Sequence, residues 1–502
     1  MSAIAPWLGA RAQVSGPLPA IECNGAVLSY AELSTRAHEA AGHLAELGIR
    51  HGDVVALLLE NGVPFVELLY AAVLSGAVLL PLNLRLTPTE LGVQLREARA
   101  RLLVHGNGAI AERARAAAPP GTRTLEIASA RRAFERAPES ERTDAMFTQV
   151  RPDSTLALLF TSGTSGTPKG TELTHANFQW SALASAAHLG ADPRDRWLAC
   201  MPLFHVGGLS ILIRALLYGN SVVVHERFDA VSVDRALDRD GVTHVSLVAT
   251  MLARILDVRG SRPAPDTLRC VLLGGGPAPT DLIDHATLLG FPIAPTYGLT
   301  EAASQVATRP PGSGTAVAGA GLVPLIGNEL RIVAENGRDC ADGDAGELWL
   351  RGPTVMRGYR QQPAETASAL AGGWLHTGDV AIRAGDGTLT ILARRSDLIV
   401  SGGENVYPAE VEAALCEHPA VVDAAVAAVA DPEFGQRPAA WLVFHPDAHE
   451  VPAADALRQF CRQRVGKAEA RGAEVQNAPF RLNSGDLRVP ARRGTKLLET
   501  RR

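Results

Sequence analysis

The segment LALLFTSGTSGTPKGTELTH, residues 156–175, sets an apolar run directly before a stretch of hydroxyls, glycines and one ammonium group. Its polar part is Thr161, Ser162, Gly163, Thr164, Ser165, Gly166, Thr167, Pro168, Lys169 and Gly170. Glycines let backbone N–H groups face an anion, hydroxyls add donors and the lysine adds charge, so the loop suits a polyphosphate. The GxxxxGK[ST] spacing of kinase and GTPase phosphate loops is absent. Runs of Ser, Gly and Thr are usually solvated linkers; here the apolar strand feeding the loop argues for a site. A second segment, PTYGLTEAAS (residues 295–304), places an aromatic, a hydroxyl and an acid within five residues. Tyr297 could stack on a base, Thr300 could bond a phosphate and Glu301 could hold a divalent ion. A tight turn with a helix cap accounts for this segment about as well. A third, residues 372–412, carries Asp379 in a TGD turn, an acceptor suited to ribose hydroxyls.

These residues need a frame. Val54–Leu59 reads as a strand, Pro64–Leu74 as a helix and Ala77–Leu82 as the next strand, a βαβ unit that favours a parallel sheet. Further strand-like runs are Thr155–Phe160, Ser221–His225, Val242–Val248, Leu268–Leu273 and Pro292–Thr296, several ending in Gly, Ser or Thr clusters. Ligands of open α/β sheets gather at the carboxyl ends of strands, which is where those clusters fall. After Arg394 the texture changes to a Gly-rich loop (Ser401–Asn405), a helix from about Pro408, strands at Val421–Val429 and Ala439–Phe444, and a helix from Ala453 to Arg464. The expected fold class is α/β: a large N-terminal domain (1–394) with mostly parallel sheets covered by helices, and a small α+β C-terminal domain (395–502).

In this order the three segments resemble the adenylate-forming superfamily, which includes acyl-CoA synthetases, peptide-synthetase adenylation domains and luciferases; the resemblance runs from about Tyr30 to Phe444. It implies that the 161–170 loop clasps the ATP phosphates, Tyr297 stacks on adenine, Thr300 contacts the α-phosphate and Glu301 binds Mg²⁺. It further implies that Asp379 and Arg394 hold the ribose, with a hinge at Ser396 about which a mobile small domain rotates. The segments MPLFHVGGLSIL, LRCVLLGGGPAP, PTYGLTEAASQ and RRSDLIVSGGENVYPAE look like 2-succinylbenzoate–CoA ligases of menaquinone biosynthesis. That family's acid is aromatic with a distal carboxylate and calls for an apolar slot with a polar or cationic end. By this resemblance His205 gates the acyl pocket and Gly274, Gly275 and Gly276 admit a flat ring. Ser304 and Gln305 would add donors, and Gly402 and Gly403 would line the pantetheine tunnel. His205 also reads as a satisfied core histidine, and the glycine run as a strand-ending turn. The family's last motif implies that Lys496 approaches the carboxylate and α-phosphate. Here Thr495 stands where a glycine is usual, and residues 465–488 lack the Tyr-Lys-x-Pro-like turn of relatives.

The totals exclude other classes. A formal net charge of -5 gives no basic footprint for nucleic acid, and the arginines near the end (Arg492, Arg493, Arg501, Arg502) read as a solvated tail. Cys23, Cys200, Cys270, Cys340, Cys416 and Cys461 form no CxxC pair, so buried free thiols are expected. The N-terminus has no basic segment followed by an apolar run, and no apolar stretch reaches the ~20 residues that span a bilayer. A cytoplasmic enzyme is expected, handling a small carboxylic acid, ATP, Mg²⁺ and CoA, with a homo-oligomer allowed by the sequence. Another acyl- or aryl-acid–CoA ligase, an adenylating enzyme loading a carrier protein and a non-catalytic nucleotide binder remain open.

Overall fold

A computed structural model describes residues 7–128, 150–161, 168–276, 278, 280–313, 320–334, 336–394, 399–402, 404–406, 411, 414, 415, 417–444 and 452–464. Two large sheets lie at its centre. In the seven-stranded sheet, the strands Thr155–Thr161, Val78–Pro81, Val54–Leu58, Ala100–His105 and Arg123–Glu126 run parallel in that spatial order. Lys169–Thr174 and Gly358–Tyr359 extend it with antiparallel pairing. In the nine-stranded sheet, Ile293–Leu299, Cys270–Leu273, His244–Leu247, Arg196–Ala199, Ser221–Val224 and Pro19–Cys23 are parallel, and antiparallel strands close both edges.

The helix Val63–Ser75 explains how the sheets stack. Every residue from Phe65 to Ser75 is buried, as expected for a helix that is apolar nearly all round and lies between two layers; its one charged residue, Glu67, is paired with Arg36 at 3.2 Å. One core joins Val55, Leu57 and Leu79 of the first sheet to Val222, Ala199 and Leu272 of the second through this helix and the helices Tyr30–Glu46 and Val206–Tyr218. The outer faces are covered separately: Leu91 and Leu95 pack on Val54 and Leu80, while Leu252 and Ile255 pack on Val245 and Val271.

The expected strands and the βαβ unit are present with ends shifted by a few residues. Two features differ from the sequence reading. Residues 329–394 form a four-stranded antiparallel sheet, Glu329–Val333, Ala345–Arg351, Leu375–Arg383 and Leu389–Arg394, in a stretch where the sequence named no strand and the large domain was expected to be mostly parallel. The expected loop Ser401–Asn405 is a tight hairpin in which Ser401 pairs with Glu404, because Gly402 takes a φ of 59°. The small unit's strands Val421–Asp431 and Gly435–Phe444 pair over their length, and the helix Ala454–Arg464 adds Leu457 and Cys461 to its core. Cys23, Cys200, Cys270 and Cys461 are buried free thiols. Cys340 is free but only half-buried, since it lies beside an edge turn where its thiol meets the Ala345 carbonyl; Cys416 lies outside the described residues. Among the described residues, no helix is long and apolar enough to cross a membrane.

Burial also fixes protonation. His175, edge-on to the Trp7 ring at 5.4 Å, is pushed down to about 4 by desolvation, with the charge of His51 adding to the shift. Burial lowers His188, His225 and His244 as well. The unfolded chain takes up protons near pH 6.5 that the folded state refuses. Stability present above that pH is therefore lost as pH falls from 6.5 toward 4, by on the order of 3 kcal/mol for His175 alone. Thermal unfolding followed across this window should show the midpoint falling, and His175→Phe should flatten the slope.

Candidate active site

The phosphate loop is a hairpin connection. Thr161 ends one strand, Lys169 begins the next, and the two are cross-strand partners. Ser162, Gly163, Thr164, Ser165, Gly166 and Thr167 lie outside the described residues. Across the sheet gap, the strand Ile293–Leu299 delivers Tyr297, then turns through a 3₁₀ segment, Thr300–Ala302, that presents Glu301. The Glu301 carboxylate joins the two sheets: its Oε1 accepts from the Thr161 hydroxyl at 3.4 Å and from the Tyr359 hydroxyl at 3.1 Å. Lys169 forms an ion pair with Glu365 and lies 5.3 Å from the centre of the Tyr359 ring.

The turn is held by close backbone contact. Ala303 and Ser304 both have positive φ, 53° and 101°, a conformation that non-glycine residues adopt only under constraint. A Cβ on Gly298 would stand 1.9 Å from the Ser304 carbonyl oxygen, so only glycine fits there. The Glu301 carbonyl accepts the Met356 N–H at 2.8 Å, tying the turn to the segment that carries Tyr359.

On the same strand, the Tyr297 hydroxyl donates to Asp379 Oδ2 at 2.5 Å. Asp379 is buried, its N–H donates to the Thr377 hydroxyl, and it faces Arg394 across the pairing of Leu375–Arg383 with Leu389–Arg394. The Arg394 side chain lies outside the described residues. At the other end of the turn, Ser304 Oγ accepts from Arg214 Nη2 at 3.2 Å. Arg214 is 1% exposed and stands over the Trp197 ring at 5.6 Å. Among the described residues no carboxylate pairs with it and its Nε has no hydrogen-bond partner. Desolvation holds the guanidinium below its usual pKa.

The other sequence-predicted residues fall as follows. His205 precedes the helix Val206–Tyr218 as its N-cap residue and is exposed, its ring 4.6 Å from that of Phe204; it is not a core histidine. A Cβ on Gly274 would meet Thr296 at 2.7 Å, Gly275 has a φ of 81°, and Gly276 is exposed, so the first two answer demands of strand packing and turn geometry. Gln305 is buried and donates to Thr308 within its own strand, away from the donor role expected of it. Gly402 lies against Phe434, and its carbonyl accepts from Thr250 at 3.2 Å, placing the small unit's hairpin on the helix Ala249–Arg259. Ser396, Gly403, Thr495 and Lys496 lie outside the described residues. Sequence reasoning missed Arg214, Tyr359 and Glu365. One signal was available: a single arginine inside the apolar run SILIRALLY is costly to bury without a purpose.

Among the described residues, no cluster of three or more His, Cys, Asp or Glu could cage a metal. A lone carboxylate such as Glu301 fits Mg²⁺, which keeps several waters and takes one or two carboxylates plus phosphate oxygens.

The sequence profile of the AMP-binding enzyme family matches residues 9–360, and that of its C-terminal domain matches residues 410–479. The chain is similar to the 2-succinylbenzoate–CoA ligase of Geobacillus kaustophilus, 41% identical over 93% of this chain and 92% of that protein. Among solved structures it is similar to a double mutant of o-succinylbenzoate CoA synthetase from Bacillus subtilis bound with its product analogue OSB-NCoA. The TM-score is 0.87 with 35% identity, covering 94% of each chain. The Bacillus subtilis enzyme in complex with ATP and magnesium ion gives 0.75 with 34% identity, covering 95% of this chain and 99% of that one.

Gly298→Ala is expected to force the turn apart and destabilise the protein by on the order of 3 kcal/mol. Gly385→Ala, where a Cβ would meet nothing within 4 Å, should be silent. Thermal unfolding and ATP calorimetry on both variants check this.

Proposed function

This chain belongs to the AMP-binding enzyme family, and from that premise we propose that it is an AMP-forming 2-succinylbenzoate–CoA ligase of menaquinone biosynthesis. It converts ATP, 2-succinylbenzoate and CoA to 2-succinylbenzoyl-CoA, AMP and diphosphate through an acyl-adenylate. The observation that carries the choice of acid is the Arg214–Ser304 pair. A buried guanidinium with no carboxylate partner among the described residues is uncompensated charge there, and an acid with a second carboxylate supplies a counter-charge. Because Ser304 Oγ accepts from Arg214, its own proton is free to donate outward, so a half-buried hydroxyl relays the charge to the ligand.

In the first step a carboxylate oxygen of the acid attacks the α-phosphorus and the bond to diphosphate breaks. The nucleophile is already ionised, so the protein's work is positioning and neutralising charge. Thr161 and Lys169 flank the loop proposed to clasp the phosphates, Tyr297 is assigned to adenine and Asp379 with Arg394 to ribose. Glu301 is the carboxylate that would hold Mg²⁺, whose charge screens the phosphate oxygens when bound. In the second step the CoA thiolate attacks the acyl carbon and AMP leaves. His205 is assigned to the acyl pocket, and Gly402 and Gly403 to the pantetheine path. We place the domain division between residues 394 and 395, and the enzyme in the cytoplasm with no nucleic-acid partner.

The test is diphosphate release across a panel of acids, with and without CoA. Turnover should be highest with 2-succinylbenzoate; equal turnover of acids lacking the second carboxylate would overturn the reading. Arg214→Met keeps the volume and should raise KM for 2-succinylbenzoate about 10- to 100-fold, the loss of a hydrogen bond to a charged group, with KM for ATP unchanged. Lys496→Ala should slow acyl-adenylate formation by about 100-fold or more, while thioester formation from supplied acyl-adenylate stays near normal. Equal loss in both half-reactions would remove Lys496 from the adenylation step.

A further inference from the structure

Tyr359 touches both charged groups of the phosphate side at once. Its ring lies under the Lys169 ammonium, and its hydroxyl donates to Glu301 Oε1 at 3.1 Å. The Thr161 hydroxyl donates to the same oxygen, so both of these hydroxyls fix the carboxylate through Oε1 rather than Oε2. The tyrosine itself is firmly placed. The strand Gly358–Tyr359 pairs with Lys169–Thr174, setting Tyr359 opposite Thr171. The Tyr359 N–H donates to the Thr366 hydroxyl at 2.9 Å, and the Arg360 N–H donates to the Gly170 carbonyl at 2.7 Å. A Cβ on Gly358 would meet Thr366 at 2.6 Å, so glycine is what lets this strand pack closely on the helix Pro363–Ala369.

Glu365, on the helix Pro363–Ala369, is the other partner of Lys169. The lysine side chain is 13% exposed and the glutamate 47%, so the pair joins a nearly buried cation to a carboxylate still in contact with water. Such an anion neutralises the lysine at rest yet loses little when displaced, because water solvates it at once.

We propose that Tyr359 is a positioning residue for Glu301 and Lys169, and that Glu365 is a placeholder anion that holds Lys169 until phosphate oxygens replace it. This rests on the adenylation reading above. Tyr359→Phe removes the hydroxyl and keeps the ring. The Mg²⁺ concentration giving half-maximal diphosphate release should rise about tenfold, as when an outer-shell partner of a metal ligand is lost. A merely structural role would lower the unfolding midpoint and leave the Mg²⁺ requirement alone. Glu365→Gln removes the competitor for Lys169, and ATP should bind about threefold tighter in calorimetry, the scale of an exposed ion pair. An unchanged Mg²⁺ requirement in Tyr359→Phe, or unchanged or weaker ATP binding in Glu365→Gln, overturns the proposal. Glu301→Gln measured alongside separates two failures. If it too leaves the Mg²⁺ requirement unchanged, the assignment of Glu301 fails; if it raises the requirement and Tyr359→Phe does not, only the positioning role fails.

Discussion

The approach of Gly298 to the Ser304 carbonyl oxygen is the contact on which the rest of the site depends. It lets the chain reverse within a 3₁₀ turn, and it forces Ala303 and Ser304 into positive φ. Three groups of side chains are fixed by that one reversal. Tyr297 stands before it against Asp379, Glu301 projects from it to Thr161 and Tyr359, and Ser304 leaves it toward Arg214. Backbone strain is tolerated here because strands on both sides, and the Met356 N–H, determine the turn from outside.

The electrostatics follow from this geometry. Two cations are withheld from water in different ways. Lys169 is paired with a half-exposed carboxylate that can give way, whereas Arg214 lies fully buried on a helix and, among the described residues, donates to a serine hydroxyl and pairs with no carboxylate. A displaceable counter-ion suits a polyphosphate that comes and goes with each turnover. A guanidinium without a counter-ion suits selection for an acid with a second negative end, because an acid lacking it leaves the buried charge uncompensated. The two proposed subsites therefore differ in what an empty site costs.

Much of the scaffold was legible in the primary structure. Val54–Leu58, Val63–Ser75 and Val78–Pro81 stand almost where alternating apolar runs and the helical run put them, because a parallel strand buried on both faces is a continuous apolar stretch. The antiparallel sheet of residues 329–394 was not legible. Its strands are half-exposed and mixed in composition, and their pairing is set by cross-strand contacts such as the Trp349–His376 stack at 4.0 Å.

What the residues determined by themselves was the chemistry on offer. Thr161 and Lys169 about a glycine-rich loop, Glu301 in a tight turn and Asp379 in a TGD segment are local statements, since each motif needs only its own few residues and the strand around it. Which groups meet was decided by the tertiary structure. The Arg214–Ser304 pair spans 90 positions, Tyr359 and Glu301 are 58 apart, and Lys169 and Glu365 are 196 apart. No periodicity or spacing encodes such a distance. It follows from two sheets stacked across a buried helix, which carries the ends of remote strands to one place and leaves them facing one another.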